Sequence, residues 1–383
     1  MNMHIAVLCD PGTEDLTAHY LESDFGCNIK STYPGTVTCT VESGAGESLE
    51  AALAYKVIQL YYCCQAAHRI LVCTVEGDSL EDAASRFNFP DWWSTQQTFR
   101  MNASGYTDTQ ETIKKCVSLI EPESKVDLDL PDISLWALRI EKNGNDHHLI
   151  GIDLSQLDLH KREYRIYTNP SMLRSTTAFS MLQEAGYTAS KTLLDPFCGS
   201  GTVAIEAALH ATSTSPLRFC KHDMRIARSG FCDEQQMDAI LSHLDTKSTT
   251  ANPQIYAYDA LLKRVNCTKH NAKIGSVLDS LHVSRVEVDW VDTKFENGQV
   301  DCIVTQPPAL TEANQKVIGK VYAQLMKRGA DILASDGIMV LCTHDTEGIA
   351  SPAESHGLGI TSTRKVYMGK QMMHFVSLRK VSG

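Results

Sequence analysis

The chain has 383 residues, 43% hydrophobic and 21% charged, with a formal net charge of −11, the make-up of a globular protein with room for two or three domains. That acidity argues against wholesale contact with a phosphate backbone, which needs positive surface, and no apolar run reaches the ~20 residues a membrane-crossing helix requires. The start of the chain, residues 1–10, is too short and uncharged for a secretory signal, so a cytoplasmic protein is expected.

In chain order, residues 4–9 predict a strand, 13–21 a helix, 37–41 a strand and 49–65 a long apolar helix. Residues 69–75 and 97–103 read as strands, 109–120 as a helix, and 135–142 and 148–153 as further strands, an alternation that suggests small α+β layers. The acidic, proline-punctuated stretch 122–131 reads as a surface loop. His147 and His148 look like a surface pair without HxxxH or HxH spacing, and the thirteen cysteines never fall as CxxC. No metal site is therefore expected, and the cysteines read as reduced core residues. Two cationic patches stand out from the acidic background: 159–167, with Lys161, Arg162 and Arg165, and 221–228, with Lys221, His222, Arg225 and Arg228. Each suits either RNA or solvent.

After Asn169-Pro170 and a helix over 174–186 comes the most informative stretch, Leu193-Leu194-Asp195-Pro196-Phe197-Cys198-Gly199-Ser200-Gly201-Thr202. It has the shape of a strand that stops in a glycine turn and restarts as a helix, with Thr202 as a cap. Asp195 at the strand tip would repel a pyrophosphate cofactor but attract the ammonium and sulfonium of S-adenosylmethionine. Residues 211–253 replace a short crossover by an insertion, expected near the cofactor edge of the sheet. Residues 254–259 then predict a strand ending in Asp259, placed to take both ribose hydroxyls, followed by a helix to Gly275. Residues 285–292 read as another strand, with Asp292 suited to an adenine amino group, and 300–310 as a buried strand running into Pro307-Pro308.

These residues resemble the THUMP-domain RNA methyltransferases, in particular the archaeal and bacterial group that makes N2-methylguanosine in tRNA. The likeness rests on 195–202 followed by Ile205-Glu206-Ala207-Ala208, on Asp153-Leu154-Ser155 with 159–165, on the proline-led helix from Asn169-Pro170 to Met181, on 65–71, on Asp91-Trp92-Trp93 with Thr98-Phe99, and on the closing hairpin at 366–372. It implies a ferredoxin-like domain over 1–65, a THUMP domain over 66–155 that grips the tRNA 3′ end, a linker and roofing helix over 156–185, and a Rossmann-fold class I methyltransferase over 186–383. Thr176, Asp195, Gly199 and Gly201 would frame the methionine moiety, with Phe197, Cys198, Ser200 and Thr202 on the same turn. Asp259 and Ala260 would take the ribose, Asp292 and Thr293 the adenine. Gln306, Pro307 and Pro308 would hold a flipped guanine, with Gln306 also touching the cofactor. Lys161, Arg162 and Arg165 would contact RNA. A monomer is favoured, with a small activating subunit left open.

The sequence departs from that family at three points: Gln306 stands where Asn or Asp is usual before the prolines, Ala309 where an aromatic is usual after them, and Lys370 for one of two glycines. Glutamine keeps an acceptor oxygen on a longer arm, while alanine offers no stacking face, worth ~1–3 kcal/mol per base. Two other readings stay open: methylation at another base atom, with Cys342 offered as a nucleophile, and a protein that binds cofactor and RNA, without turnover or as part of a heteromer.

Overall fold

A computed structural model describes residues 2–42, 49–142, 144–168, 172–249, 252–309, 313–344 and 346–381. Asn169, Pro170 and Leu310, which carry parts of two expected elements, lie outside the described residues. The chain runs β1 (Asn2–Leu8), α1 (Glu14–Phe25), β2 (Asn28–Tyr33), β3 (Thr36–Glu42), α2 (Leu49–Cys63), β4 (Arg69–Gly77), α3 (Leu80–Arg86), β5 (Thr98–Ser104), α4 (Thr109–Ile120), β6 (Lys125–Val126), β7 (Ile133–Lys142) and β8 (Asn145–Asp153). It continues through α5 (Ser175–Glu184), β9 (Leu193–Asp195), α6 (Thr202–Ala211), α7 (Glu234–Thr246), β10 (Ile255–Asp259), α8 (Leu262–Ile274), β11 (His282–Arg285), β12 (Val300–Thr305), α9 (Gln315–Ile332), β13 (Leu333–Thr343), α10 (Glu347–Glu354), β14 (Leu358–Met368) and β15 (Gln371–Lys380). Two compact units result, one from 1–159 with 217–246, the other from 160–216 with 247–383. Among the described residues no helix is long and apolar enough to cross a membrane.

The first unit is built on an eight-stranded sheet in the order β2-β3-β1-β4-β8-β7-β5-β6. Residues 1–65 and 66–155 thus share one continuous sheet, joined where β1 pairs antiparallel with β4. Burial runs through consecutive positions of β3 and β8, so both faces of those strands are covered, and Ala6, Leu71, Leu138, Ile140 and Leu149 pack with Tyr33. Residues 217–246 of the insertion belong to this unit. Its helix α7 is tied to α2 by the Tyr62 hydroxyl on Asp245 at 2.6 Å, and Lys221 completes the Asp245 carboxylate at 2.7 Å. His147 corrects another expectation. It is buried, with Nε2 3.0 Å from Glu76, because its strand position faces inward.

The second unit carries a seven-stranded sheet ordered β11-β10-β9-β12-β13-β15-β14. β11 to β13 run parallel and the β14–β15 hairpin is antiparallel. Strand order reverses between β9, flanked by β10, and β12, so a crevice opens at their carboxyl ends, the place where α/β sheets bind ligands. α6 lies beneath that crevice almost wholly buried, because Val203, Ala204, Ile205, Ala207, Ala208 and Leu209 are apolar and Arg162 and Tyr164 satisfy the carboxylate of Glu206. α9 buries Tyr322, Leu325, Met326, Gly329 and Ile332 at helical spacing. Gly329 lets the helix sit close: a Cβ there would overlap the Met339 side chain.

The strand expected over 285–292 is shorter than the sequence suggests. β11 ends at Arg285, and residues 288–294 wind into a 3-10 turn that points Val288 and Val291 into the core. Valines three apart eclipse on a three-fold helix and so share one face, where on a strand they would point to opposite faces.

Candidate active site

β9 is only three residues long, yet it places Asp195 at the crevice with 2% exposure. Its Oδ1 accepts from the Thr305 hydroxyl at 2.6 Å and from the Phe197 amide at 3.2 Å. Among the described residues no cation pairs with it, and burial pushes the carboxyl up to about 7. A cationic group is what such a carboxylate lacks.

The turn after it is held by backbone demands. Gly199 and Gly201 have φ of 57° and 89°, a region other residues enter at a cost, and a Cβ on Gly201 would sit 2.7 Å from Thr268. Gly201, not Thr202, caps α6. Thr268 and Asn271, both on α8, fix the loop: the Thr268 hydroxyl donates to the Gly199 carbonyl at 3.1 Å and the Asn271 amide to that of Ser200 at 2.9 Å. At the end of β10, Asp259 accepts from the Gly199 amide at 3.2 Å and the Leu261 amide at 2.9 Å, with Arg264 3.5 Å away.

A cavity of about 400 Å³ opens over this turn. Asp195, Phe197, Cys198, Gly199, Ser200 and Thr202 form one wall, Gln306 to Ala309 a second, and Cys342, Thr343, His344, Met368, Gln371 and Met373 a third. Thr305 is buried and Gln306 half-buried; the Tyr322 hydroxyl donates to the Pro308 carbonyl at 3.0 Å and pins the loop. Of the third wall the sequence offered only Cys342, because strand ends far apart in the chain meet only once the sheet forms. The sequence reading also missed Met172 and Leu173, which line the cavity.

Beyond Gly201 and Asp259, seven expected site residues lie outside the cavity lining. Thr176 is fully buried inside α5 and contributes nothing to the cavity wall. Asp292 sits on the 3-10 turn, its Oδ2 accepting from Arg328 on α9 at 2.8 Å, and neighbouring Thr293 donates to the Trp290 carbonyl at 2.7 Å. Arg162 is buried, not an RNA contact: its Nε donates to Glu206 at 3.1 Å, and the Tyr164 hydroxyl joins the same carboxylate at 2.9 Å. Arg165 is half-buried and donates to the Leu173 carbonyl at 2.7 Å, while Lys161 is exposed. Ala260 lies at the β10 tip, its carbonyl accepting from Arg285 at 2.9 Å. Arg162→Ala is expected to cost about 3–5 kcal/mol, the penalty for leaving Glu206 buried without its cation. Thermal unfolding measures this; a variant of unchanged stability that binds RNA more weakly would restore the surface role.

The other cationic patch, 221–228, lines a cavity of about 840 Å³ in the first unit, where Arg100, Arg225 and Arg228 stand among Asp129, Asp223, Glu234 and Asp238. Both signs are present, so it is no simple phosphate channel. Among the described residues no group of three side chains is placed to hold a metal.

Residues 162–374 match the model of the RMKL-like methyltransferase domain family. The chain belongs to that family. Its fold and crevice are those of a Rossmann-like methyltransferase, and S-adenosylmethionine is its cofactor. A relative from Archaeoglobus fulgidus, named tRNA (guanine(6)-N2)-methyltransferase, is 24% identical over 94% of this chain and 88% of its own length. Ribosomal RNA large subunit methyltransferase K/L from Aliivibrio fischeri is 26% identical over 72% of this chain, which spans only 44% of that longer protein. Among solved structures, one from Clostridium difficile 630 described as "a possible methylase" superposes with a TM-score of 0.79 at 20% identity, covering 100% of this chain and 99% of its own.

The residues present fit the cofactor. A buried carboxyl without a cation, a turn whose two glycines carry no side chain, and a second acid at the next strand tip are what an ammonium, a close-lying chain and a pair of ribose hydroxyls call for.

Proposed function

We propose that this protein transfers a methyl group from S-adenosylmethionine to the exocyclic N2 of a guanosine in tRNA. The observation that carries the reading is the meeting of Asp195 and the Gln306-Pro307-Pro308 loop on one cavity. The Archaeoglobus relative named for N2-methylation of tRNA supports it. The ribosomal K/L relative makes ribosomal RNA the alternative substrate.

Bound in this crevice, the cofactor supplies a sulfonium-activated methyl group. Asp195 would hold its ammonium, the 199–201 backbone its methionine chain, and Asp259 its ribose once Arg264 yields; Asp292, kept as the adenine acceptor, would first have to leave Arg328. The guanine amine is a poor nucleophile because its lone pair is delocalised into the ring. Gln306 and the Pro307 carbonyl would accept hydrogen bonds from its two N–H groups and hold the nitrogen in line, and the proton the nitrogen sheds on methylation passes to water. The base leaves its stem first, at a cost of a few kcal/mol. The first unit serves as the THUMP-bearing tRNA grip, with Lys161 and Arg165 at the junction of the sequence segments, and the protein acts as a cytoplasmic monomer.

Labelled S-adenosylmethionine with unmodified tRNA should yield N2-methylguanosine in the nucleoside digest; label appearing only with ribosomal RNA would redirect the substrate. Cys342 is fully buried in β13 yet lines the cavity, which keeps the thiol mechanism testable. Full activity in Cys342→Ala excludes it.

A further inference from the structure

Besides Thr343, the third wall of the cavity holds two polar side chains that neither the cofactor nor the acceptor loop accounts for. His344 directly follows β13, and Gln371 opens β15, paired in register with Met368 across the hairpin turn. The turn between them needs a positive φ only at its first central residue: Gly369 has φ 67°, while Lys370 is not left-handed. That is the pattern in which a single glycine suffices, and it fixes where Gln371 begins.

The two side chains orient each other. His344 Nδ1 lies 3.0 Å from the Met372 carbonyl oxygen, and His344 Nε2 lies 2.8 Å from Gln371 Nε2. A carbonyl can only accept, so Nδ1 carries the proton; the neutral ring then has a lone pair on Nε2, and the Gln371 amide donates to it. Turning the amide over would set its oxygen against that lone pair. The carboxamide is therefore held in one sense, with one N–H and its carbonyl oxygen left for a ligand in the cavity.

Guanine presents an acceptor, O6, beside a donor, N1–H, next to the exocyclic amine; adenine presents a donor beside an acceptor. A freely turning amide would serve either base. One that cannot turn serves only one of them when the base is already fixed through its amine by Gln306 and Pro307. We propose that Gln371, oriented by His344, reads the O6/N1–H edge of the acceptor guanine and thereby selects the base. This selection rests on guanine N2 being the methyl acceptor. Gln371 is the contact and His344 the positioning residue.

The test uses the full-length protein and RNA carrying either guanosine or 2-aminopurine riboside at the target position. The analogue keeps the methylatable amine but lacks O6 and the N1 proton. Wild type should favour guanosine by about 30-fold in kcat/KM, the scale of a paired base-edge contact. Gln371→Ala should lose about that factor on guanosine RNA and nothing further on the analogue, bringing the ratio near one. His344→Ala should lower the ratio part-way, with S-adenosylhomocysteine affinity and Tm unchanged, which a merely structural role would not do. A ratio preserved in Gln371→Ala overturns the proposal while leaving the N2 reading intact. A wild-type protein that methylates no guanosine overturns the N2 reading and the base selection with it.

Discussion

Replacing Asp195 by asparagine is expected to weaken S-adenosylmethionine binding by about 100-fold or more while making the ligand-free protein more stable. The two effects share one cause. Burial chiefly lifts this carboxyl from 3.8 to about 7, against the pull of the Thr305 hydroxyl and the Phe197 amide. Between those values the folded chain holds a proton that the unfolded chain has released. The group is therefore harmless to stability below about pH 4, its cost grows as pH rises toward 7, and at higher pH it costs the ligand-free fold on the order of 4 kcal/mol. Asparagine keeps an acceptor for Thr305 and Phe197 and removes the charge, so Tm should rise at about pH 8 and stay unchanged near pH 4.

The cofactor's ammonium reverses that balance, because it needs the carboxylate ionised. Losing a buried, hydrogen-bonded charge partner costs about 2–5 kcal/mol of binding, which calorimetric titration reads directly. Wild-type affinity should also fall by up to about tenfold per pH unit below 7, as binding must first expel the Asp195 proton. The variant should show no such slope. Equal affinity in both proteins at every pH would remove Asp195 from the cofactor site.

The glycine turn was legible in the sequence because everything that shapes it is local. Strand end, acid, two glycines and an apolar helix succeed one another within about a dozen residues, and each signal agrees with the next. The same holds for α4 and β10. The features that escaped were decided at a distance. Val286 and Val288 are spaced as on one strand face and Val288 and Val291 as on a 3-10 turn, and only packing against α9 chooses between them. Arg162 lies among charged neighbours in sequence, yet its partner Glu206 sits in the first turns of an apolar helix 44 residues later. The insertion 211–253 carries no mark that its residues 217–246 join the first unit; the Tyr62–Asp245 bond spans 183 residues. His344 and Gln371 were passed over for the same reason, since neither has meaning until the β14–β15 hairpin is laid beside β13.

The unusual Gln306 should prove fitted to this cavity, so that Gln306→Asn, which restores the side chain usual in the family, lowers kcat by about 100-fold instead of raising it. The loop has no freedom to compensate. Thr305 is anchored on Asp195 at 2.6 Å, Pro307 and Pro308 stiffen the backbone on the other side of Gln306, and Tyr322 holds the Pro308 carbonyl at 3.0 Å. An acceptor one methylene shorter on a pinned loop withdraws from the amine it must orient, and misplacement on the order of 1 Å is enough to cost about 100-fold. Gln306→Ala removes the acceptor outright and should cost about 100–1,000-fold, as deleting one preorganised hydrogen-bonding group at a reacting centre does. Cofactor affinity should survive in both variants, since the carboxylate and the glycine turn remain. Single-turnover transfer to guanosine RNA, measured beside S-adenosylmethionine binding, separates these effects. A gain of activity in Gln306→Asn would mean that the loop moves to suit its side chain. Cofactor binding without transfer in wild type and both variants would instead favour a protein that holds cofactor and RNA and does no chemistry.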